Sequence, residues 1–447
     1  MEDTRDAAAT EPPPLSRDPA FWGMTLTQFL GAFNDNVFKQ LVLLIGLDYA
    51  RLRGLTGDPY QTYAQGLFAM AFVLFSGLAG WLSDRNVKRS IVVASKVAEI
   101  VVMGAGLAVF VLLPFGSDAY LGGLLAVLFL MGTQSAFFGP GKYGILPEML
   151  RERDLPAANG VIQMTTFLAI IFGIALCGYL KEHWGNGETA LWKISALCIG
   201  IAVVGTLTSL LVRPTQIAAP GLPFRFDSLL IDRPTLRMLR EDRTLRGALA
   251  ATVLFWFLGG VTLPVVNTLG KDQLGLGDAG TSVLTASVGF GIAVGCLTAG
   301  SVRSSRAGTK LVRGGAGGML VMFSLLGMLP RFGLDSLTTG RLAGVGLVLL
   351  GVAAGLYAVP LQVVLQTRPP ASEKGRMIGA MNLCTWIGIF AAAGFYGLCA
   401  ALFTREQISH SFFVLGALIA PVLLWYRPGQ DLPDASVRSS ETAALKR

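Results

Sequence analysis

The chain has 447 residues, 53% of them hydrophobic and only 14% charged, with a mean hydropathy of +0.59. Soluble domains carry about 25% charged residues, so this composition excludes an ordinary soluble domain. The net charge of +8 and pI near 9.4 would suit a nucleic-acid partner only if the cations shared one folded surface, and they instead fall between long apolar runs.

Those runs reach about 20 residues or more, enough to cross ~30 Å of hydrocarbon as a helix. Strands of a membrane barrel would be about ten residues long and alternate in polarity, which these do not. Residues 1–20, "MEDTRDAAATEPPPLSRDPA", are acidic and proline-rich and lack the basic start and short apolar core of a signal peptide. They are expected to form a disordered cytoplasmic tail. The first predicted span, 21–47, carries Asn34, Asp35, Asn36 and Lys39 near its middle. One Asp or Lys at mid-depth costs roughly 2.5–3.5 kcal/mol on insertion scales. Gln28, Gly31, Asp35 and Lys39 recur every three or four residues, which puts them on one helical stripe. Ionisable groups in spans face a bundle interior or a wet cavity, so this stripe is expected to face inward, with Asp35 and Lys39 partly neutralising each other at i and i+4. A buried ion pair that fixes packing and a substrate or gating site are both open readings.

Span two, 61–82, ends at Gly80 before the basic loop "WLSDRNVKRS". Span three, 90–114, carries Lys96 and Glu99 three residues apart, either a second internal pair or half of a gate. Span four, 119–140, contributes Gln134, with Lys142 just beyond it, placed either to reach the headgroups or to hold a phosphate. Spans five and six are 157–180, with Gln163, and 190–212. The connection 213–245 opens with a proline-containing coil and then alternates Leu and Met with Arg at helical spacing. It reads either as an amphipathic helix on the anionic inner leaflet or as a solvated linker. Spans seven to twelve follow at 246–269, 280–302, 311–330, 340–366 (with Gln362 and Gln366), 376–402 and 409–427, leaving 428–447 as a second cytoplasmic tail.

With both termini inside, Lys and Arg crowd the inside loops and are sparse outside, as the positive-inside rule requires. Cys177, Cys198, Cys296, Cys384 and Cys399 all fall within spans and are expected as small buried hydrophobes. The halves 21–212 and 246–427 echo each other weakly. Ala79-Gly80 and Ala299-Gly300 each precede a basic loop, and Pro140 and Pro360 are each followed some twenty residues later by an Asn, Asn159 and Asn382. Duplication of a six-helix unit is a common transporter plan.

The loop Gly80-Trp81-Leu82-Ser83-Asp84-Arg85-Asn86-Val87-Lys88-Arg89 resembles the G-x-L-A-D-R-x-G-R-K signature of the major facilitator superfamily, departing from it at Val87. The stretches "FLGAFNDNVFKQ", "FFGPGKYGILPEML", "LPAANGVIQMTTFLAIIFG", "LFWFLGG" and "GLYAVPLQVVLQ" resemble one branch, the bacterial lysophospholipid transporters. The resemblance implies an all-α membrane protein of twelve helices in two pseudo-symmetric six-helix bundles. It implies movement of lysophospholipids from the outer to the inner leaflet of a bacterial inner membrane by alternating access, feeding re-acylation inside. It also points to Asp35, since an acidic residue at the matching place in span one matters in that family. Some relatives are fused to acyltransferase and acyl-carrier-protein synthetase domains. With 20 residues after the last span, neither is expected here, which leaves a separate cytoplasmic acyltransferase as a candidate partner beside the lysophospholipid and the membrane lipids.

Candidate substrate-contacting residues are therefore Gln28, Asn34, Asp35, Asn36, Lys39, Lys96, Glu99, Gln134, Lys142 and Gln362, with Gly80, Asp84, Arg85, Lys88 and Arg89 as a gating loop. A drug exporter of the same superfamily is disfavoured because "NGVIQMTTFLAIIFGIALCGYL" in span five lacks the proline of a Gly-Pro-Gly motif. A proton-coupled symporter stays open through Asp35 or Glu99. An acyltransferase is not expected, because neither His183 nor His410 begins an H-x-x-x-x-D motif. No zinc-site or phosphate-loop pattern is present either, so no cofactor, metal or nucleic-acid partner is expected.

Overall fold

The computed structural model describes residues 12–54, 59–184, 190–302 and 305–426. The expected tail 428–447 and most of the first tail lie outside these residues. Among the described residues there is no strand. Thirteen α-helices follow in order: α1 (Pro19–Leu52), α2 (Pro59–Arg85), α3 (Lys88–Leu112), α4 (Asp118–Met149), α5 (Leu155–Trp184), α6 (Trp192–Ser209), α7 (Arg233–Glu241), α8 (Arg243–Thr268), α9 (Asp278–Ser301), α10 (Ser305–Met328), α11 (Ser336–Thr367), α12 (Lys374–Leu402) and α13 (Ser411–Trp425). Eleven are long and apolar enough to cross a membrane. The twelfth expected span, α1, has the length at 34 residues, but its polar cluster at 34–39 dilutes its hydropathy. The short α7 lies in the linker.

Helices α1–α6 close around one core that includes Phe38, Tyr49, Tyr120 and Met131. Helices α8–α13 close around another that includes Phe255, Met319, Tyr357 and Phe412. With lipid as apolar as the side chains, tight backbone approach through small residues holds such bundles together. Gly291 and Gly295 of α9 lie directly under the carbonyls of Val348 and Val352 of α11. The two bundles meet through α2 against α12 and α5 against α9. Each contact joins the second helix of one bundle to the fifth of the other, so the pair is symmetric.

The linker, α7 and the described ends of the chain share one face, called the linker face below. Arg151 donates to the Pro12 carbonyl there, and the Tyr426 ring lies beside Gly247 at the start of α8. Two expectations need correction. Residues 12–20 are ordered: Asp18 caps α1 by accepting from Ala20 N at 3.0 Å and pairs with Arg213. And α4 does not stop at Pro140 but continues through Pro140 and Pro147 to Met149. Its glycines explain this, because Gly141 seats against Val92 and Gly144 against Lys88, so packing on α3 offsets the hydrogen bonds the prolines remove.

Candidate transport site

The polar middle of α1 faces three partner helices rather than one cavity wall. Asp35 Oδ2 accepts from Ser135 Oγ of α4 at 2.6 Å, and that hydroxyl accepts in turn from Gln134 Nε2 at 2.8 Å. The other carboxylate oxygen, Oδ1, has no hydrogen-bond partner among the described residues. One turn on, Lys39 directs its ammonium at the Phe68 ring of α2, 5.2 Å from the centroid, a cation–π contact. The ion pair expected between Asp35 and Lys39 does not form, because each finds its partner on a different facing helix.

Lys96 and Glu99 do form a salt bridge, with both side chains at most 2% exposed. Asn34 Nδ2 donates to the second Glu99 oxygen at 2.7 Å. Glycines make the slot: a Cβ on Gly31 of α1 would stand 3.0 Å from Lys96 Nζ, and one on Gly205 of α6 would stand 2.9 Å from its Cε. A buried pair survives only when its geometry is good and the remaining lone pairs are satisfied, and Asn34 supplies that third bond.

Lys142 does not reach the headgroups. Because α4 continues past Pro140, the residue points into the bundle, where Nζ donates to Gln28 Oε1 at 3.1 Å and lies 4.6 Å from the Tyr143 ring centroid. Gln28 also accepts from Thr166 at 2.8 Å and donates to Thr165 at 2.5 Å, which ties α1, α4 and α5 together. Asn36 turns back on its own helix and donates to the Ala32 carbonyl at 2.7 Å. Gln362 is buried on α11, and among the described residues its amide nitrogen has no partner, nor does that of Gln163 on α5. Among the five cysteines, four are buried and Cys384 is half-buried.

The signature loop divides its work. Asp84 crosses between the bundles: its oxygens accept from Gly375 N at 2.7 Å and Arg376 N at 3.0 Å at the start of α12, and from Arg376 Nε at 3.2 Å. A carboxylate on exposed N–H groups at a helix start is favoured by both hydrogen bonding and the helix dipole. Gly80 lets α12 approach, since a Cβ there would stand 2.8 Å from the Gly375 carbonyl. Arg376 also donates to Asp232, which caps α7 by accepting from Thr235 N at 3.1 Å. Arg85 instead holds the linker, donating to the Leu222 carbonyl at 3.2 Å, and Arg89 donates to the Leu210 carbonyl at the end of α6 at 2.9 Å. Lys88 pairs with Glu148 of α4 at 2.6 Å. On the same face, burial alone would raise the Asp242 carboxyl, but hydrogen bonds from Arg368 and Leu245 N, with the Arg368 charge, hold it below the usual carboxylate range.

The family model of the Major Facilitator Superfamily matches residues 24–393. The chain belongs to that superfamily. It is 28% identical over 418 residues to the lysophospholipid transporter LplT of Enterobacter sp. (strain 638), covering 90% of this chain and 95% of that one. In fold it is similar to the human organic anion transporter MFSD10 (TETRAN), with a TM-score of 0.72 at 16% identity over 93% of this chain and 100% of the other. It is also similar to the transporter FucP in its outward conformation, with a TM-score of 0.69 at 13% identity over 92% and 98% of the two chains.

This major facilitator chain has further junctions between its bundles that spacing alone did not reveal. Asn159 of α5 and Gln366 of α11 exchange two hydrogen bonds, at 2.6 and 3.0 Å. Closer to the Asp35 level, Phe72 of α2 stacks on Trp386 of α12 with centroids 4.3 Å apart, and Phe167 of α5 stacks on Trp256 of α8 at 6.2 Å. Arg376, Glu148 and Asp232 were missed because each looks like an ordinary charge near a helix end; only their partners, distant in sequence, give them a role.

Proposed function

We propose that this major facilitator transporter moves lysophospholipids from the outer to the inner leaflet by alternating access, with the headgroup held by the first bundle and the acyl chain against the second. One observation carries the reading. Among the described residues, the buried charges at mid-membrane, Lys96, Glu99 and Lys142 with half-buried Asp35 and Lys39 beside them, all lie in α1–α4, whereas no Asp, Glu, Lys or Arg of α8–α13 is buried. The second bundle presents Trp256 and Trp386 to the junction instead. A molecule with a charged head and one acyl chain matches that asymmetry; a sugar, polar all round, does not. The relatives named lysophospholipid transporters support the same substrate class.

In this reading Lys39 and Lys142 attract the phosphate, and Asp35, with one oxygen unpartnered, receives an amine where the headgroup has one. The Lys96–Glu99 pair, already satisfied by Asn34, shapes the site without taking substrate. The clasps Asp84–Arg376 and Asn159–Gln366 close the linker face while the site is open on the other side. A separate acyltransferase on that face would trap the delivered lipid.

Uptake of labelled lysophosphatidylethanolamine by spheroplasts lacking their own transporter tests this, with wild type and Asp35→Asn at matched membrane levels. Uptake that needs the protein and collapses in the variant is expected. No uptake by well-expressed wild type, in a host able to re-acylate the lipid, would sink the substrate assignment; uptake that survives the variant would return Asp35 to packing.

A further inference from the structure

The linker does not hang in water; it climbs the side of α2. Arg85, Trp81 and Gly77 lie one turn apart, and the linker meets each. Leu222 O accepts from Arg85 at 3.2 Å, Pro223 O accepts from the Trp81 indole at 3.2 Å, and the carbonyls of Leu229 and Leu230 lie directly over Gly77. At 1.5 Å per residue, the eight residues from Arg85 to Gly77 carry the linker about 12 Å along the helix, back toward the apolar layer. On this segment Phe226 is 87% exposed and Leu230 59%, while Phe224 packs edge-on against Trp81 with centroids 5.3 Å apart.

Charge flanks the apolar segment. An open groove of ≈ 1010 Å³ lies between α7 and the starts of α8 and α12, and five arginines line it (Arg225, Arg233, Arg237, Arg243 and Arg368) against the three carboxylates Glu241, Asp242 and Glu373. Arg368 is taken by Asp242 and Arg237 by Glu241. Arg225 and Arg233 share Asp227, at 3.3 and 3.9 Å, and the Arg233 side chain stays 83% exposed.

We propose that the segment Phe224–Arg237 is an interfacial anchor for anionic phospholipid, with Phe226 and Leu230 inserted at the acyl boundary and Arg225 and Arg233 on headgroup phosphates. Amphipathic surface segments bury their apolar side ~5–10 Å into that boundary, a distance the climb along α2 is long enough to cover. The same anchor bears on the junction between bundles, because Asp232 caps α7 and holds the Arg376 that Asp84 holds. Anionic lipid under α7 therefore favours the closed linker face. This inference is independent of what the protein transports.

The test uses the full chain in nanodiscs of phosphatidylcholine alone or mixed with phosphatidylglycerol, in a Cys384→Ser background. Phe226→Cys and, separately, Leu230→Cys carry an environment-sensitive fluorophore. Quenching by doxyl-labelled lipid and protection from aqueous iodide are expected at both positions. Co-purified lipid should be enriched in phosphatidylglycerol, and Arg225→Gln with Arg233→Gln should reduce that enrichment by roughly fivefold per arginine. Iodide access at both positions would overturn the anchor and leave a soluble partner as the occupant. Lipid quenching with an enrichment unchanged by the arginine variants would overturn the assignment to anionic headgroups.

Discussion

At the scale of single residues, the middle of the membrane separates charges that are used up from charges that are left over. Lys96, Glu99 and Asn34 satisfy one another in a slot only glycine can form, between Gly31 and Gly205. Removing one partner of a buried pair strands the other, at a cost of about 3–5 kcal/mol, whereas replacing both with apolar groups of similar volume is near neutral. Lys96→Met or Glu99→Met alone should therefore lower the melting temperature of the purified protein sharply, and Lys96→Met with Glu99→Met should recover most of it. A double variant as unstable as the sum of the singles would contradict the isolated-pair reading. Among the described residues, Lys39 and Lys142, by contrast, have no carboxylate within salt-bridge distance: Lys39 faces the Phe68 ring, and Lys142 the Gln28 amide and the Tyr143 ring. Spacing put Asp35 and Lys39 on a stripe expected to face inward and left Lys142 open. It could not show which pairs close, because i, i+4 proximity on α1 competes with partners on α2, α3 and α4 that lie tens of residues away.

At the scale of elements, one carboxylate ties the end of α2 to the start of α12. Asp84 accepts two main-chain N–H bonds and a guanidinium bond there, and hydrogen bonds to a charged group contribute about 1.5–3 kcal/mol each. In Asp84→Asn the closed linker face should lose at least roughly tenfold in population, since about 1.4 kcal/mol is a factor of ten. Modification of a cysteine introduced at Ser83, which is buried against Gly375 of α12, compared with and without the variant in a Cys384→Ser background, reads that population. An unchanged modification rate would mean that the clasp is not what closes the face. The loop was legible as a signature, but its partner was not: Arg376 lies 292 positions away, and nothing local distinguishes it from a snorkelling cation. The overextended α4 has the same origin. Proline ends helices by its own geometry, and only the fit of Gly141 and Gly144 against α3 overrides it.

At the scale of the whole molecule, the two bundles touch through symmetric pairs, α2 with α12 and α5 with α9, both concentrated toward the linker face. Transport by alternating access requires those contacts to part. Replacing Asn159 and Gln366, which bond across the bundles, with cysteines in a Cys384→Ser background and bridging them with a short bis-maleimide should abolish uptake. The same variant before bridging, which already lacks the Asn159–Gln366 clasp, sets the reference uptake against which the bridge is read. Uptake that persists with the bridge in place would exclude separation at α5 and α11 as part of the cycle.

Composition and apolar run length by themselves determined a helical membrane protein with twelve expected spans, because hydrocarbon thickness and the cost of bare backbone leave a chain this apolar few other choices. The superfamily was legible only through the resemblance of the Gly80–Arg89 loop to its signature. The sequence also located Asp35, Lys39, Lys96 and Glu99 in the first half, since each interrupts an apolar run. Tertiary structure alone decided the rest: that Asp35 and Lys39 part company, that Lys142 turns inward, that Asp84 grips α12, and that the linker lies along α2. Each of these depends on a partner far along the chain, and hydrogen bonds and ion pairs, unlike hydrophobic burial, are directional contacts that sequence periodicity does not record.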